Sequence, residues 1–469
     1  MDDSDCMKNK VNKIVIVNIL STILVKVVSA ITAPIISRML GTSYYGIISL
    51  YTTCVTIITI VFGLQTVGTF AIARNEYDDK DQNNYQSACM GLTIVSFLVM
   101  SCIVITIKPL IHTLDSINNI LFVCAIIHSF GSYCVTILNT KFTYEYKATQ
   151  NMILSFFTTI SISVLSIILI YIWPNENIYY GRILGYVIVY IIAAIGIPIY
   201  FFRIGKVFYN KNYWKFCLGL SIPIVFHNLS SVIMGHCDIL MLRALMGYKI
   251  VGIYSLAASF CGILEAVQSA LNHSWIPFYF DFLKIGDHDK LKCHANNYII
   301  LFTGITFGFL LLATPVYYIY ASKEYWDGIQ LILMFVLGYY FSFLYTFPAN
   351  FEFFSKNTKV VAISTFASAL INVFLNYLFI KKMGSFGAVF ATAIANIFLF
   401  VFHHLAASRI IKIEKYPFRL KFFLPYIIAV LLFSVLYHFI KENIILCVGL
   451  AVFDGGFLVL KMVKNKSIF

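Results

Sequence analysis

Residues 151–173 read NMILSFFTTISISVLSIILIYIW, which is twenty-three residues without a single charged side chain. A helix of about 20 apolar residues is long enough to cross a hydrocarbon core about 30 Å thick. Lipid offers no partner for backbone N–H and C=O groups, so a spanning segment must satisfy them internally. This stretch therefore predicts a transmembrane helix.

Similar stretches follow one another along the whole chain, joined by loops too short to hold a soluble domain. The composition agrees, with 60% hydrophobic residues, 12% charged residues and a mean hydropathy of +0.84. We therefore predict an all-α polytopic membrane protein with about 14 transmembrane helices. The predicted spans are 14–36, 45–72, 86–107, 117–139, 151–173, 183–202, 216–240, 250–273, 296–320, 328–350, 360–380, 385–407, 422–440 and 444–462.

The net charge of +13 follows from basic residues that lie between these spans. With the N-terminus placed inside, alternate segments hold 24 lysines and arginines inside and 9 outside, and Lys26 lies within a span. Cytoplasmic loops are enriched in positive charge, so both termini are predicted to be cytoplasmic and nucleic acid is not expected as a partner. The opening residues run directly into the first span, which predicts an uncleaved signal anchor.

Two segments repeat along the chain. Residues 41–50 read GTSYYGIISL and residues 247–256 read GYKIVGIYSL, with five of ten positions identical. Six spans separate the copies, so both have the same orientation, as in transporters built from parallel repeats. We predict a six-helix lobe over 1–203, a second over 213–407 and a terminal helix pair over 421–466.

The first span contains a polar stripe. Lys26 lies near its middle, where a cation costs about 2.5–3.5 kcal/mol on insertion scales. Asn18, Thr22 and Ser29 share its helical face by spacing. We predict that this face lines a cavity; the alternatives are that Lys26 reaches an interface or pairs with a carboxylate.

The seventh span repeats this spacing with His227, Ser231, Gly235 and Asp238, and Asn228 is adjacent. Pro223 can bend the same helix, and gating is one use of such a bend. Asp238 and Arg243 could form an ion pair, a gate at the helix end or a substrate contact.

Two further spans have stripes of small polar residues. Glu265 belongs to the stripe of the eighth span and is a candidate for cation or proton coupling; a salt bridge to Lys26 explains it equally well. Stripes that converge suggest a water-filled central cavity, although small residues also serve interhelical packing. The stripes are Thr52, Thr56, Thr59, Gly63 and Thr66 in the second span and Ser255, Ser259, Gly262, Glu265 and Ser269 in the eighth.

Signatures of catalysis are missing from the sequence. It contains no Walker A loop, no Gly-x-Ser-x-Gly elbow and no HExxH motif. The eleven cysteines lack a CxxC pair, and the histidines lack metal-ligand spacing. We therefore expect neither an enzyme nor a cofactor or metal site.

Three segments resemble polysaccharide-biosynthesis transporters, the O-antigen and capsule repeat-unit flippases of the multidrug/oligosaccharidyl-lipid/polysaccharide exporter superfamily. They read PIISRMLGTSYYGIISLY from residue 34, SIPIVFHNLSSVIMGHCDILMLRALMGYKIVGIYSLA from residue 221 and KKMGSFGAVFATAIAN from residue 381. The resemblance implies translocation of undecaprenyl-pyrophosphate-linked oligosaccharides across the bacterial inner membrane by alternating access. It implies membrane lipids, a polysaccharide polymerase and chain-length machinery as partners.

Within that resemblance, Lys26 and Arg243 would contact the pyrophosphate, and Asp238 matches the acid of the family's seventh span. Two alternatives stay open. A cation-coupled multidrug exporter of the same fold would use Asp238 or Glu265, and the Lys26 stripe argues against it. A polytopic glycan polymerase or glycosyltransferase would need a larger outer loop or carboxylates in the first one. A lipid-only scramblase and a peptidoglycan-precursor flippase are minor alternatives.

Overall fold

The computed structural model describes residues 3–107, 118–174, 176–355, 357–409 and 416–465. These residues form α-helices joined by short loops and two short 3-10 helices, Thr66–Thr69 and Lys323–Gly328, with no strand among them. The α-helices are α1 (Asp3–Phe62), α2 (Phe70–Glu76), α3 (Asp79–Ile107), α4 (Asn119–Tyr144), α5 (Ala148–Ile172), α6 (Tyr179–Gly205), α7 (Lys211–Met246), α8 (Tyr248–Ile285), α9 (His288–Tyr320), α10 (Ile329–Phe354), α11 (Thr358–Arg409), α12 (Leu420–Ile440) and α13 (Ile444–Asn465).

Within the described ranges, twelve helices are long and apolar enough to cross a membrane, which confirms the all-α polytopic prediction. Two of them each cover two predicted spans. Helix α1 is interrupted at Gly41, with φ 69° and ψ 172°, and α11 at Gly384, with φ 59° and ψ −137°. Only glycine adopts such angles readily, so each glycine ends one span and starts the next.

The predicted end of the second span was wrong. Residues 45–72 were expected to form one helix, but α1 ends at Phe62. Leu64 and Gln65 then adopt left-handed backbone angles, with φ 51° and 49°, and a 3-10 turn leads into α2. The apolar pattern continues through this break, so hydropathy alone could not reveal it.

The repeated segments share a backbone conformation at their first residue. Gly247 has φ 87° and ψ 177°, close to the angles of Gly41. Each glycine directly precedes a membrane-length helix whose fifth residue, Gly46 or Gly252, is buried. The equivalence found in the sequence therefore extends to local structure. The parallel arrangement of two lobes stays a prediction.

The chain packs as two compact units, residues 1–232 and 233–469. The boundary between them along the sequence falls within α7. In the first unit, α1 packs on α4 and α5, and α6 packs on α3, α4 and α5. One buried core lies around Tyr85, Tyr133 and Phe201. A second core lies around Ile36, Tyr51 and Ile183.

In the second unit, α10 packs against α8 and α11, and α9 packs against α8, α12 and α13. Aromatic rings fill its centre, where Trp275 lies 5.1 Å from Tyr298 and Phe347 lies 5.5 Å from Phe423, centroid to centroid. Aromatic side chains bury large areas with few rotatable bonds, which favours a rigid scaffold. The predicted division into lobes over 1–203 and 213–407 and a terminal helix pair over 421–466 stays a prediction.

Candidate functional site

Two residues of the polar stripe of α1 are left exposed by the described parts of the chain. Lys26 and Ser29 are exposed, and the Ser29 hydroxyl donates to the Val25 carbonyl oxygen at 3.0 Å. Among the described residues, no carboxylate lies within ion-pair distance of Lys26. The backbone of Asn18 and Thr22 belongs to α1, but their side chains lie outside the described part of the structure.

The stripe of α7 is partly exposed as well. His227, Ser231 and Gly235 are exposed, and a Cβ added to Gly235 would meet nothing within 4 Å. The Ser231 hydroxyl donates to the His227 carbonyl oxygen at 3.2 Å, which satisfies it within its own helix. Pro223 lies inside α7, where the missing N–H removes one backbone hydrogen bond. These three residues of the stripe are therefore exposed, whereas its fourth residue, Asp238, is buried.

Asn228, the predicted neighbour of this stripe, meets the break in α1. Its amide nitrogen donates to the side-chain oxygen of Gln65 at 2.9 Å. Asn228 lies seventeen residues after Lys211, the first residue of α7, or about 25 Å along the helix at 1.5 Å per residue. The break at 63–69 therefore lies deep within the apolar thickness of the first unit.

Polar side chains hold the broken segment in place. The Thr66 hydroxyl lies 3.0 Å from the hydroxyl of Tyr133 and 3.2 Å from that of Thr93. The Thr69 hydroxyl lies 2.6 Å from that of Tyr85. The Tyr133 hydroxyl also accepts from the Val67 N–H at 3.4 Å, and the Thr69 hydroxyl donates to the Thr66 carbonyl oxygen at 2.6 Å, so side chains satisfy part of a backbone that has left the helical hydrogen-bond ladder. Irregular backbone at membrane depth occurs only where it is buried in protein or lines a water-filled cavity.

Thr66 and Gly63, which the sequence assigned to a cavity-lining stripe, belong to this packed region. Thr66 is fully buried, and a Cβ on Gly63 would lie 2.7 Å from the Tyr133 ring. Thr52, Thr56 and Thr59 donate to carbonyl oxygens of their own helix. For Thr66 and Gly63, interhelical packing is therefore the observed role.

Asp238 and Arg243 have separate partners. Asp238 is 4% exposed and accepts a hydrogen bond from the Tyr254 hydroxyl of α8. The guanidinium of Arg243 lies 4.0 Å from the centre of the Tyr248 ring, a cation–π contact. The ion pair considered from the sequence is thus replaced by two aromatic partners.

A buried amide cluster lies one residue from Asp238. Cys237 donates to the Asn372 side-chain oxygen at 2.9 Å, and the Asn372 amide donates to the Thr392 hydroxyl at 3.1 Å. Asn376 donates to Asn372 at 3.0 Å, and its own side-chain oxygen is buried without a hydrogen-bond partner among the described residues. Both halves of α11 are thereby tied to α7. Asn372 and Asn376 lie four residues apart in an apolar span, and this pattern in the sequence could have indicated the cluster.

Glu265 is exposed on α8 and interacts electrostatically with Tyr339 of α10. Ser259 and Ser269, one and a half turns before and one turn after it, are exposed as well. Gly262 has no atom within 4 Å of an added Cβ. Helix α8 therefore leaves Ser259, Glu265 and Ser269 exposed, whereas Ser255 of the same stripe is buried. The described residues contain no group of three histidine, cysteine or acidic side chains placed to hold a metal ion.

The sequence of the chain matches a known protein family. Residues 11–282 match the family described as "Polysaccharide biosynthesis protein". A Lsg locus protein of Haemophilus influenzae is 24% identical over 375 residues, which cover 74% of this chain and 86% of that protein.

Solved transporters share the fold. "Lipid II flippase MurJ, inward closed conformation" matches with a TM-score of 0.67 at 16% identity, covering 96% of this chain and 99% of that one. An inward-facing multidrug resistance MATE family transporter of the MOP superfamily matches with a TM-score of 0.61 at 13% identity, covering 84% and 98%.

Proposed function

Because the chain belongs to the polysaccharide biosynthesis protein family, we propose that it flips undecaprenyl-pyrophosphate-linked oligosaccharide repeat units across the bacterial inner membrane. Transport would proceed by alternating access, with both termini in the cytoplasm. One observation supports this most: α1 spans the membrane with Lys26 and Ser29 uncovered. A polymerase and chain-length machinery would act on the product.

The free-energy cost of placing Lys26 in lipid supports this proposal. An isolated lysine facing hydrocarbon costs about 2.5–3.5 kcal/mol on insertion scales, and intramembrane charges face a bundle interior or a water-filled cavity almost without exception. Lys26 is left uncovered by protein, so a water-filled path is the favourable environment for it. A pyrophosphate passing along such a path would form a charge-assisted contact with the ammonium group.

Other polar side chains of α1 and α7 would suit the glycan. Asn18, Thr22 and Ser29 would continue the face of α1, and His227, Asn228 and Ser231 would supply hydrogen bonds from α7. Sugar hydroxyls both donate and accept, as do these side chains. Arg243 would be a second contact for the pyrophosphate, because its ring partner leaves the guanidinium donors available.

Asp238 is the better of the two acids for coupling or gating. It is buried against Tyr254, whereas Glu265 is exposed. A buried acid is stabilised only by its specific partner, so its charge state depends on whether that partner moves. Pro223, within the same helix, would provide the bend.

A multidrug exporter of the same fold is the alternative. Organic cations would favour an exposed acid and disfavour an exposed lysine in the cavity. Glu265 meets the first condition and Lys26 violates the second. Lys26 therefore favours an anionic, lipid-linked substrate over an organic cation.

The test is a deletion strain complemented with wild type, Lys26→Ala, Lys26→Arg or the control Lys382→Ala, an exposed lysine two residues before the interruption of α11 at Gly384, with lipid-linked repeat units measured in each leaflet. We expect the deletion and Lys26→Ala, at normal expression, to trap repeat units in the inner leaflet. Losing a charge-assisted contact worth about 1.5–3 kcal/mol predicts a decrease of about tenfold or more. Repeat units that reach the outer leaflet unpolymerised in the deletion strain would instead indicate a polymerase.

A further inference from the structure

A buried acid–imidazole pair lies in the second unit. Glu352, near the end of α10, and His403, in the second half of α11, are both fully buried. The carboxylate Oε2 lies 2.6 Å from the imidazole Nδ1. The other ring nitrogen, Nε2, lies 3.4 Å from the Thr365 hydroxyl in the first half of α11.

The surroundings of the pair are aromatic and polar. The Tyr345 ring packs edge-on against His403 with centroids 4.7 Å apart. Tyr416 interacts electrostatically with Glu352 and packs on His404 at 5.5 Å. Among the described residues, Tyr345, His404 and Tyr416 are the other titratable groups shown to face the pair or its neighbours.

Several polar atoms of this cluster are buried and have no hydrogen-bond partner among the described residues. They are Glu352 Oε1, His404 Nδ1, Tyr416 OH and Ser355 Oγ. Buried polar atoms are usually satisfied, and each exception costs about 1–3 kcal/mol. Three of these atoms belong to Glu352 and to His404 and Tyr416 beside it, so the cluster has polar groups that the single link between Glu352 and His403 leaves unused.

We propose that Glu352 and His403 form a proton-binding site. One proton shared between Oε2 and Nδ1 leaves the pair neutral overall, either as two neutral groups or as an ion pair. Removing that proton leaves one negative charge, and adding a second leaves one positive charge. Either net charge is costly in a dry interior, so the pair keeps one proton while buried and exchanges it when water enters.

The exchange would be linked to a change in packing. Helix α10 packs on α11, and the pair joins α10 to the second half of α11. A second proton on Glu352 would remove the carboxylate charge that holds a protonated His403 and weaken this joint. Loosening of α10 from α11 would admit water, and release of the proton would restore the joint.

The first measurement needs no transport substrate. The full chain is purified in nanodiscs, and infrared spectra of wild type, Glu352→Gln and the exposed-site control Glu324→Gln are recorded from pH 4 to pH 10. We expect a carboxyl band of a dry environment in wild type and in Glu324→Gln, with its loss in Glu352→Gln. His403→Gln should shift the midpoint at which this band titrates.

Identical titrating bands in wild type and Glu352→Gln would overturn the proposal. A lowered melting temperature in Glu352→Gln without any change in these bands would assign a structural role only and would overturn it too. Should Glu352→Gln fail to fold, His403→Gln tests the same point, because an unshifted midpoint contradicts the shared proton. None of these outcomes depends on the identity of the transported lipid.

Discussion

Three ionisable residues in membrane-length helices have different surroundings. Lys141 is 3% exposed and lies 2.7 Å from Glu145, 2.8 Å from the Asn83 side chain and 2.7 Å from that of Gln86. Asp238 is also buried and has Tyr254 as its partner. Lys26 is neither buried nor paired within the described residues, so it differs from charges with a structural role.

Two variants separate the effect of the Asp238–Tyr254 contact on stability from its effect on transport. We expect Tyr254→Phe to destabilise the protein by about 1–3 kcal/mol, because it leaves a buried carboxylate without its hydroxyl donor. Both carboxylate oxygens of Asp238 accept hydrogen bonds, one from the Tyr254 hydroxyl and one from the Ile239 N–H. Asp238→Asn keeps the shape but only one of these acceptors, so it should abolish transport and lower the melting temperature. Thermal unfolding in nanodiscs and leaflet-resolved transport provide the two readouts. Full transport in Asp238→Asn would remove this residue from coupling and gating.

Glu145, just beyond α4, predicts a pH dependence of stability. Partial burial alone would raise its pKa, but hydrogen bonds from Lys141 and Lys147 outweigh burial and lower it below the usual value of 4.5. An acid with a lowered folded-state pKa stabilises above its unfolded pKa and loses that contribution as pH falls through the folded value. Wild type should therefore lose stability below about pH 4.5.

The matched variants are Glu145→Gln and Lys147→Met. Glu145→Gln removes the acid-induced loss and destabilises at pH 7, because Lys141 is then buried with amide oxygens as its only acceptors. Lys147→Met removes only an exposed partner, and exposed pairs contribute little. Melting temperatures at pH 7 and pH 4 test both; equal behaviour of the two variants at both pH values would contradict the assignment.

At the scale of elements, the break at 63–69 is the feature that sequence reasoning missed. The hydrophobic pattern continues through Val67 and Phe70, and the polar residues there fit a helical stripe as well as a turn. What decides the break is tertiary: Gly63 lies against Tyr133, and Gln65 meets Asn228, which is 163 residues away. Non-glycine residues in left-handed conformation cost about 1–2 kcal/mol each, so tertiary contacts must offset that cost.

Two glycine substitutions test this element. A Cβ at Gly63 would lie 2.6 Å from the Thr59 carbonyl oxygen, whereas one at Gly196 in α6 would meet nothing within 4 Å. Gly63→Ala should destabilise by about 1–3 kcal/mol through overpacking, and Gly196→Ala should be neutral or stabilising by up to about 1 kcal/mol. Thermal unfolding measures both, and a neutral Gly63→Ala would show that the close packing around the break is not required.

At the scale of the molecule, apolar length was sufficient to predict nearly every membrane helix. The glycine-marked repeat also located the turns at Gly41 and Gly247 correctly. Contacts between distant positions could not be predicted in the same way: Glu352 and His403 are 51 residues apart, and no local spacing links them. The cavity-facing position of Lys26, inferred from the cost of a lysine in lipid, stays a prediction, and the exposure of its side chain is compatible with it.

The most direct test of the account is reconstitution of the purified chain in proteoliposomes that contain undecaprenyl-pyrophosphate-linked oligosaccharide with a fluorescent label on the glycan. A membrane-impermeant quencher reports how fast label moves between leaflets. We predict rapid equilibration with wild type, a decrease of about tenfold or more with Lys26→Ala and recovery with Lys26→Arg. Wild-type vesicles that equilibrate no faster than protein-free vesicles, under any imposed ion gradient, would contradict the proposed function.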